Sequence, residues 1–536
     1  MREEFTHWSV LFKQYMKRDW KLILFWVLGL GGFAGGFLPA FEEIGKGNGL
    51  IGLYETMKNP AMISLCGPTP VQEAAEYTVG AMYGHLMLLF TGLIAMLVAA
   101  VHVVSHTRKE EESGLTEFVC SYRVGRHASS VALLAEEIVI HVLITIFSAV
   151  LLLVFDVESV TAGPAFLFAV CVGIAGVMGA AIALVMAQIM PSSAGATGAS
   201  LGMIGVLYVL RAGTDISNLD LSMWNPMGWI YLTYPFTKNR TAPLFYAAAF
   251  CVAVILIAFA LERGRDMGSG YLPEKTGRGN VKKSLLSVPG LLIRLNRSMV
   301  LGWVLTFLIL GAVYGSIYGD METFLGGNEL IRAMFTAGGI SVEASFTSTI
   351  LVVLGGLAAI VPVVVVNKLF TEESSARLGQ VSATRVSRAK LYWVTMGIAV
   401  FSAALALFAA AGGLGGAALL VMEKSELEMT DFLLAGMNYL PAVLFFAALS
   451  ALMLGWLPAF GKAVYIYIGY AIMLNYFQGL LDLPEWFENT AVLSWIPRMP
   501  MDEFDGMVFA VVTVLSLVIM VIGYLGYRKR DMVERI

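Results

Sequence analysis

The stretch His106–Arg126, HTRKEEESGLTEFVCSYRVGR, packs eight charged residues into twenty-one positions of a chain that is only 14 % charged. Shifted by 262 residues without a gap, it overlies from Arg108 onward the loop FTEESSARLGQVSATRVSRAK, residues 370–390. Glu110 and Glu111 meet Glu372 and Glu373, Ser113 meets Ser375, and Val119 meets Val381. The RVGR of Arg123–Arg126 meets the RVSR of Arg385–Arg388. A plain connector has no reason to repeat its sequence when the apolar runs beside it have diverged. The chain therefore reads as a tandem of two halves, and a repeat of this kind decides the architecture.

A second match backs the first: RGRDM at Arg263–Met267 recurs 265 residues later as RKRDM at Arg528–Met532. Between these charged islands the chain is apolar, with 58 % hydrophobic residues. A bilayer core takes about 20 apolar residues per helix. Twelve runs qualify as expected spans: 21–41, 80–105, 129–154, 163–190, 194–211, 243–262, 299–319, 346–367, 391–414, 432–455, 462–480 and 504–527. Backbone groups in lipid must be satisfied within their own segment, so each run predicts a helix. Pro191 and Pro458 mark equivalent tight turns. Each half opens with an amphipathic stretch, FTHWSVLFKQYMKRDW at Phe5–Trp20 and SLLSVPGLLIRLNRSM at Ser284–Met299, which predicts an interfacial helix.

The expected fold is an all-α polytopic membrane protein of 12 transmembrane helices, arranged as two parallel-repeat six-helix bundles. The first half covers 1–262, a Gly-, Lys- and Arg-rich cytoplasmic linker with an interfacial helix covers 263–298, and the second half covers 299–536. Most of the 35 Lys and Arg residues lie in 1–21, 106–128, 263–298, 367–390, 455–462 and 528–536. The positive-inside rule then puts both termini and both repeated loops in the cytoplasm. The N-terminus carries no small-residue cleavage site and does not read as a removable signal peptide. Cys66, Cys120, Cys171 and Cys251 show no CxxC spacing and imply no disulfide framework.

Within the first loop, Leu115, Phe118 and Val119 fall at the i, i+3, i+4 spacing of a short amphipathic helix. Such a helix offers an apolar ridge flanked by Glu110, Glu111, Glu112 and Glu117 to a soluble cytoplasmic partner, with Arg123 and Arg126 returning to the membrane. The second loop keeps Glu372, Glu373, Arg385 and Arg388 but carries Arg377, Gly379 and Gln380 in place of Leu115, Glu117 and Phe118. Two copies imply a partner with two equivalent docking sites.

These features, with NPAMISLCGP at Asn59–Pro68, MWNPMGWIYLTYPF at Met223–Phe236 and the joining segment Arg263–Trp303, resemble the permease subunits of ATP-binding-cassette exporters of the polyketide-antibiotic, tetronasin-type family. The resemblance covers nearly the whole chain. It implies a transport subunit without enzymatic activity or cofactor of its own, in a bacterial cytoplasmic membrane. Residues 110–119 and 372–381 would be coupling helices seated in two copies of a separate ATPase that holds ATP and magnesium. The cargo would be a hydrophobic or amphiphilic compound. No nucleic-acid partner is expected. The nearest approach to a phosphate loop, GWLPAFGKA at Gly455–Ala463, has five residues between its glycines and Ala463 where Ser or Thr is needed, so it is rejected.

The spans are nearly free of ionisable groups. Met82, Tyr83, Met87, Phe90, Tyr208, Asn438 and Tyr439 are candidates for a substrate path, although for any one of them ordinary packing is the favoured reading. Glu136, Glu137 and His141 form a candidate intramembrane polar cluster. The preferred reading lets them snorkel or pair with Arg123 or Arg126. His102 and His106 have the four-residue spacing of a helical metal pair, but no further ligand is evident in the sequence and no metal is assigned. The main rival is a twelve-helix secondary, ion-coupled drug transporter. A membrane enzyme ranks lower, because Asp215, Asp220, Asp320, Glu322, Asp482 and Glu485 lie in different loops without a repeated motif.

Overall fold

The computed structural model describes residues 3–46, 49–58, 60–273, 280, 282–320, 341–422, 427–477 and 484–531. Among them there is no strand. The chain divides into two compact units, one holding Met1–Gly277 and the other Arg278–Leu325 and Glu329–Ile536.

In the first unit, helix α1 (Trp8–Trp26) runs through a π-helical turn at Val27–Gly31 and on to Gly36. The amphipathic stretch is therefore the lower part of the first span, not a separate interfacial helix. Trp8–Trp26 contains no Gly or Pro, and a change of apolar face breaks no backbone hydrogen bond. Helix α2 (Val79–His106) starts at Thr78, whose hydroxyl accepts from the Ala81 amide. Two short helices follow, α3 (Arg108–Glu112) and α4 (Leu115–Cys120). Then come α5 (Ala128–Val154), α6 (Ala162–Ile189), α7 (Ser193–Ser217) and α8 (Ala242–Gly264). Helix α6 is the centre, packing on α2, α5, α7 and α8. Its small residues let neighbours close in: a Cβ on Gly176 would lie 1.9 Å from a ring carbon of His141.

The second unit begins with α9 (Val288–Ser316), capped by Ser287 and with Pro289 in its first turn. Here too the amphipathic stretch and the span are one rod. Helices α10 (Val342–Ala358) and α11 (Ile360–Ser374) are separated at Ala359. Pro362 has no N–H for the Ala358 carbonyl, and its ring crowds that oxygen. There follow α12 (Arg377–Ser382), α13 (Arg388–Val421), α14 (Met429–Asn438), α15 (Leu440–Trp456), α16 (Ala463–Phe477) and α17 (Gly506–Lys529). Helix α9 packs on α13, and α15 packs on α11 and α17. In the first unit α1 packs on α5, and α6 on α2 and α8.

Among the described residues, eleven helices are long and apolar enough to cross a membrane. The run expected at 462–480 is helical over its described part, as α16 (Ala463–Phe477). Residues 478–480 lie outside the described part.

Candidate functional site

Gly114, between α3 and α4, sits at φ 76°, a left-handed conformation that costs an L-residue energy. Its partner at the 262-residue offset, Ala376, adopts φ 57° between α11 and α12. Helices α4 and α12 thus occupy matching positions, six residues each.

The two matched pieces of sequence meet in space. Arg265 of the RGRDM exit grips Glu111 with both terminal nitrogens, at 2.7 and 2.8 Å. Arg530 of the RKRDM exit grips Glu373 in the same way, with Nη2 at 2.7 Å. The Glu111 and Glu373 side chains keep only 6 % and 1 % of their exposure. Arg126 donates to the carbonyls of Glu262 and Arg265, and its counterpart Arg388 donates to the Arg530 carbonyl. Each loop is clamped to the end of the last helix of its own unit. Two-pronged Arg–carboxylate pairs of this kind are strong and directional.

The carboxylates of the acidic run each find a partner within this chain, although Glu112 itself stays exposed. Glu110 accepts from Arg18 of α1 at 2.7 Å. Glu111 also accepts from Arg108 at 2.8 Å and from the Gly268 amide at 2.6 Å. Glu112 accepts from the Ser193 amide at 2.6 Å, a negative charge at the positive end of α7. The outward surface consists of Leu115, Glu117, Phe118 and Arg123, with Phe118 60 % exposed. Tyr122, 62 % exposed and edge-on to Phe118, extends that ridge. In the second loop Arg377, Gln380 and Arg385 face outward, Leu378 is buried, and Glu372 lies 3.4 Å from Arg377.

Residues 285–528 match the family described as the C-terminal domain of the multidrug efflux system permease Rv1217c. The chain is also 26 % identical to the multidrug efflux system permease protein Rv1217c of Mycobacterium tuberculosis (strain ATCC 25618 / H37Rv), over 98 % of this chain and 95 % of that protein. It resembles an efflux permease from end to end. Together with the eleven apolar helices, this supports a membrane-embedded transport protein.

The other candidates have different surroundings. Met82, Tyr83 and Met87 are buried in the first unit, where the Tyr83 hydroxyl donates to the Ala34 carbonyl at 2.7 Å. Phe90 is half exposed, and Tyr208 donates to the Leu65 carbonyl at 2.9 Å. In the second unit Asn438 donates to the Pro497 carbonyl at 2.8 Å and Tyr439 is buried against Gly355. Glu137 accepts from His102 Nδ1 at 2.6 Å and lies 3.3 Å from His141 Nε2. The pairing with Arg126 is not formed, because that guanidinium is committed to backbone carbonyls.

Two groupings escape a linear reading. Arg265 and Arg530 are visible as matched exits, but their 154- and 157-residue separations from Glu111 and Glu373 hide the pairing. At the other end of the first unit, fully buried Arg211 holds Asp215 at 2.9 Å and donates to the carbonyls of Ser64 and Leu65. Tyr231 and Ser222 also donate to Asp215. The four-residue spacing of Arg211 and Asp215 is the signal that points to this pair.

Proposed function

We propose that this chain is the transmembrane subunit of an ATP-binding-cassette exporter, driven through its two repeated loops by two copies of a separate ATPase that binds ATP and magnesium. In this reading it sits in a bacterial cytoplasmic membrane with both termini cytoplasmic, as the polyketide-antibiotic exporters do. The observation that carries it is the double clamp, Glu111–Arg265 and Glu373–Arg530. A loop meant to pass force must be fastened to the helices it moves, and each loop is tied to the last helix of its unit. The first is also tied to α1 and α7. The exposed Leu115–Phe118–Tyr122 ridge supplies the docking face, since exposed aromatics are favoured anchors at interfaces.

A hydrophobic or amphiphilic cargo fits the apolar groove of about 470 Å³ in the second unit, lined by Ile293, Val300, Leu301, Ile398, Phe401 and Leu405. The test is co-purification with the ATPase and measurement of stimulated ATP hydrolysis. Phe118→Asp is expected to weaken the complex about 30-fold or more, with the melting temperature unchanged because the ring faces solvent. Unaltered association and stimulation in the Leu115→Asp, Phe118→Asp double variant would sink the reading. An ion-coupled transporter would instead use the buried carboxylates Glu136 and Glu137, and its transport would collapse with the proton gradient while ATP is present.

A further inference from the structure

Near the loop end of the first unit, three helices bring four ligand-type side chains together. Asp19 comes from α1, His102 and His106 from α2, and Glu136 from α5; one donor atom of each lies within 4.8 Å of the others. We propose that these four residues bind a first-row divalent transition-metal ion of the zinc class.

Two of the donors are buried without partners. Glu136 is fully buried and neither carboxylate oxygen has a hydrogen-bond partner. His102 is 2 % exposed and its Nε2 is likewise unpartnered. Leaving such groups unsatisfied is costly, and one cation resolves both. The protonation pattern fits as well. Glu137 accepts from His102 Nδ1 at 2.6 Å, which leaves the Nε2 lone pair free for a metal. This is the carboxylate–histidine arrangement that orients a metal ligand from behind. His106 Nε2 lies 2.9 Å from Asp19 Oδ2, while its Nδ1 lies 2.9 Å from the Ser105 hydroxyl and 3.1 Å from the His102 carbonyl, so either ring tautomer is held and the one protonated at Nδ1 offers Nε2 to a metal beside Asp19.

Two imidazoles and two carboxylates select a transition metal over calcium or magnesium, which prefer all-oxygen shells. Two carboxylate charges also neutralise a divalent ion, which suits a site closed by Trp26 at 4.7 Å from the His102 ring centre. A cleft of about 80 Å³, lined by Tyr15, His106, Glu110 and Cys120 among others, gives an ion a way in. Occupancy would staple α1 to α2 and α5, and Arg18, next to Asp19, bonds both Asp19 and Glu110 of the loop. At the 262-residue offset the second half carries Val364, Lys368 and Ile398 in place of His102, His106 and Glu136. The site is a property of the first half.

The full chain, purified in detergent with a tag free of histidine and stripped with chelator, is titrated with Co²⁺ and then Zn²⁺. Visible absorption and elemental analysis after gel filtration report binding. The expected result is one equivalent per chain with a ligand-field band. His7→Gln is expected to keep that band, and Glu136→Gln and His106→Gln to lose it. Glu137→Gln is expected to weaken binding about 10- to 100-fold. Melting adds a signature that simple structural damage would not produce. Glu136→Gln should raise the melting temperature of the stripped protein, by removing an unpaired buried charge, and abolish the rise that zinc causes in wild type. If Glu136→Gln fails to elute as a single species, Asp19→Asn at the half-buried rim gives the same reading. No one-equivalent uptake by wild type, or unchanged uptake in both variants, overturns the proposal.

Discussion

The two halves fasten their loops with the same carboxylate and the same arginine, yet almost everything around that pair differs. In the first, Glu110, Glu111 and Glu112 each take a separate anchor: Arg18, Arg265 with Arg108, and the start of α7. In the second, Ser374 stands where Glu112 does, and Glu372 faces Arg377 of its own loop. The junction between first and second spans is rebuilt as well. His106 reaches Asp19 of α1 at 2.9 Å, whereas its counterpart Lys368 donates to the Leu295 carbonyl of α9. What stayed fixed is the tight turn and the clamp. The difference teaches that the turn and the clamp are shared and their surroundings are not, so the loops are not interchangeable.

The sharpest way to break the comparison is to cut both clamps. Arg530→Gln takes the two-pronged arginine from Glu373, whose side chain is only 1 % exposed, and the deeper burial is expected to make this the larger loss, about 3 kcal/mol or more. Arg265→Gln leaves Glu111 with Arg108 and the Gly268 amide, so about 1–3 kcal/mol is expected. Melting temperatures in detergent, measured side by side, check the order. Equal losses would mean that the deeper burial of Glu373 does not make its clamp costlier to break.

A smaller effect separates the two turns. Gly114 has open space around its Cα, so only its φ resists a side chain. Gly114→Ala is expected to lose about 1 kcal/mol, while Ala376→Gly should gain about 0.5 kcal/mol by relieving the strained φ. Opposite signs in thermal melts support a shared turn geometry, and the same sign in both refutes it.

The last contrast is chemical and needs no change in stability. Burial pushes the Cys66 thiol up to about 11, against the pull of Arg211. At pH 8 only about one thiol in a thousand is then ionised. Maleimide labelling of a single-cysteine Cys66 form should be slow at pH 8 and climb as pH approaches 11. The more open Cys120, beside the first loop, should label faster. Equal rates at pH 8 would show that the Arg211 end of the unit is wetter than its packing indicates.

Much of this arrangement was legible in the chain itself, because identity at a fixed offset marks the turn and the clamp even where the apolar helices have drifted. The all-helical class followed from apolar length alone. What escaped was whatever depends on distant residues meeting. Asp19 is 83 residues from His102 and 117 from Glu136, so the His102–His106 pair looked incomplete. The partners of the acidic run were likewise hidden: composition reports that Glu110–Glu112 are charged, whereas Arg18, Arg265 and Ser193 come from distant segments. The separate interfacial helices failed for a related reason. Periodicity detects a change of face, but nothing in Trp8–Trp26, which has no Gly or Pro, ends the helix there.

The fusion of amphipathic stretch and span has a further consequence. Helix α9 has 29 residues and measures about 43 Å, some 13 Å more than the hydrocarbon core needs. The surplus is a handle. A pivot set at the membrane surface turns such a rod into a lever, in which a sideways nudge on the short protruding arm swings the long embedded arm through a larger arc. A hinged pair of helices would have absorbed that nudge at the bend.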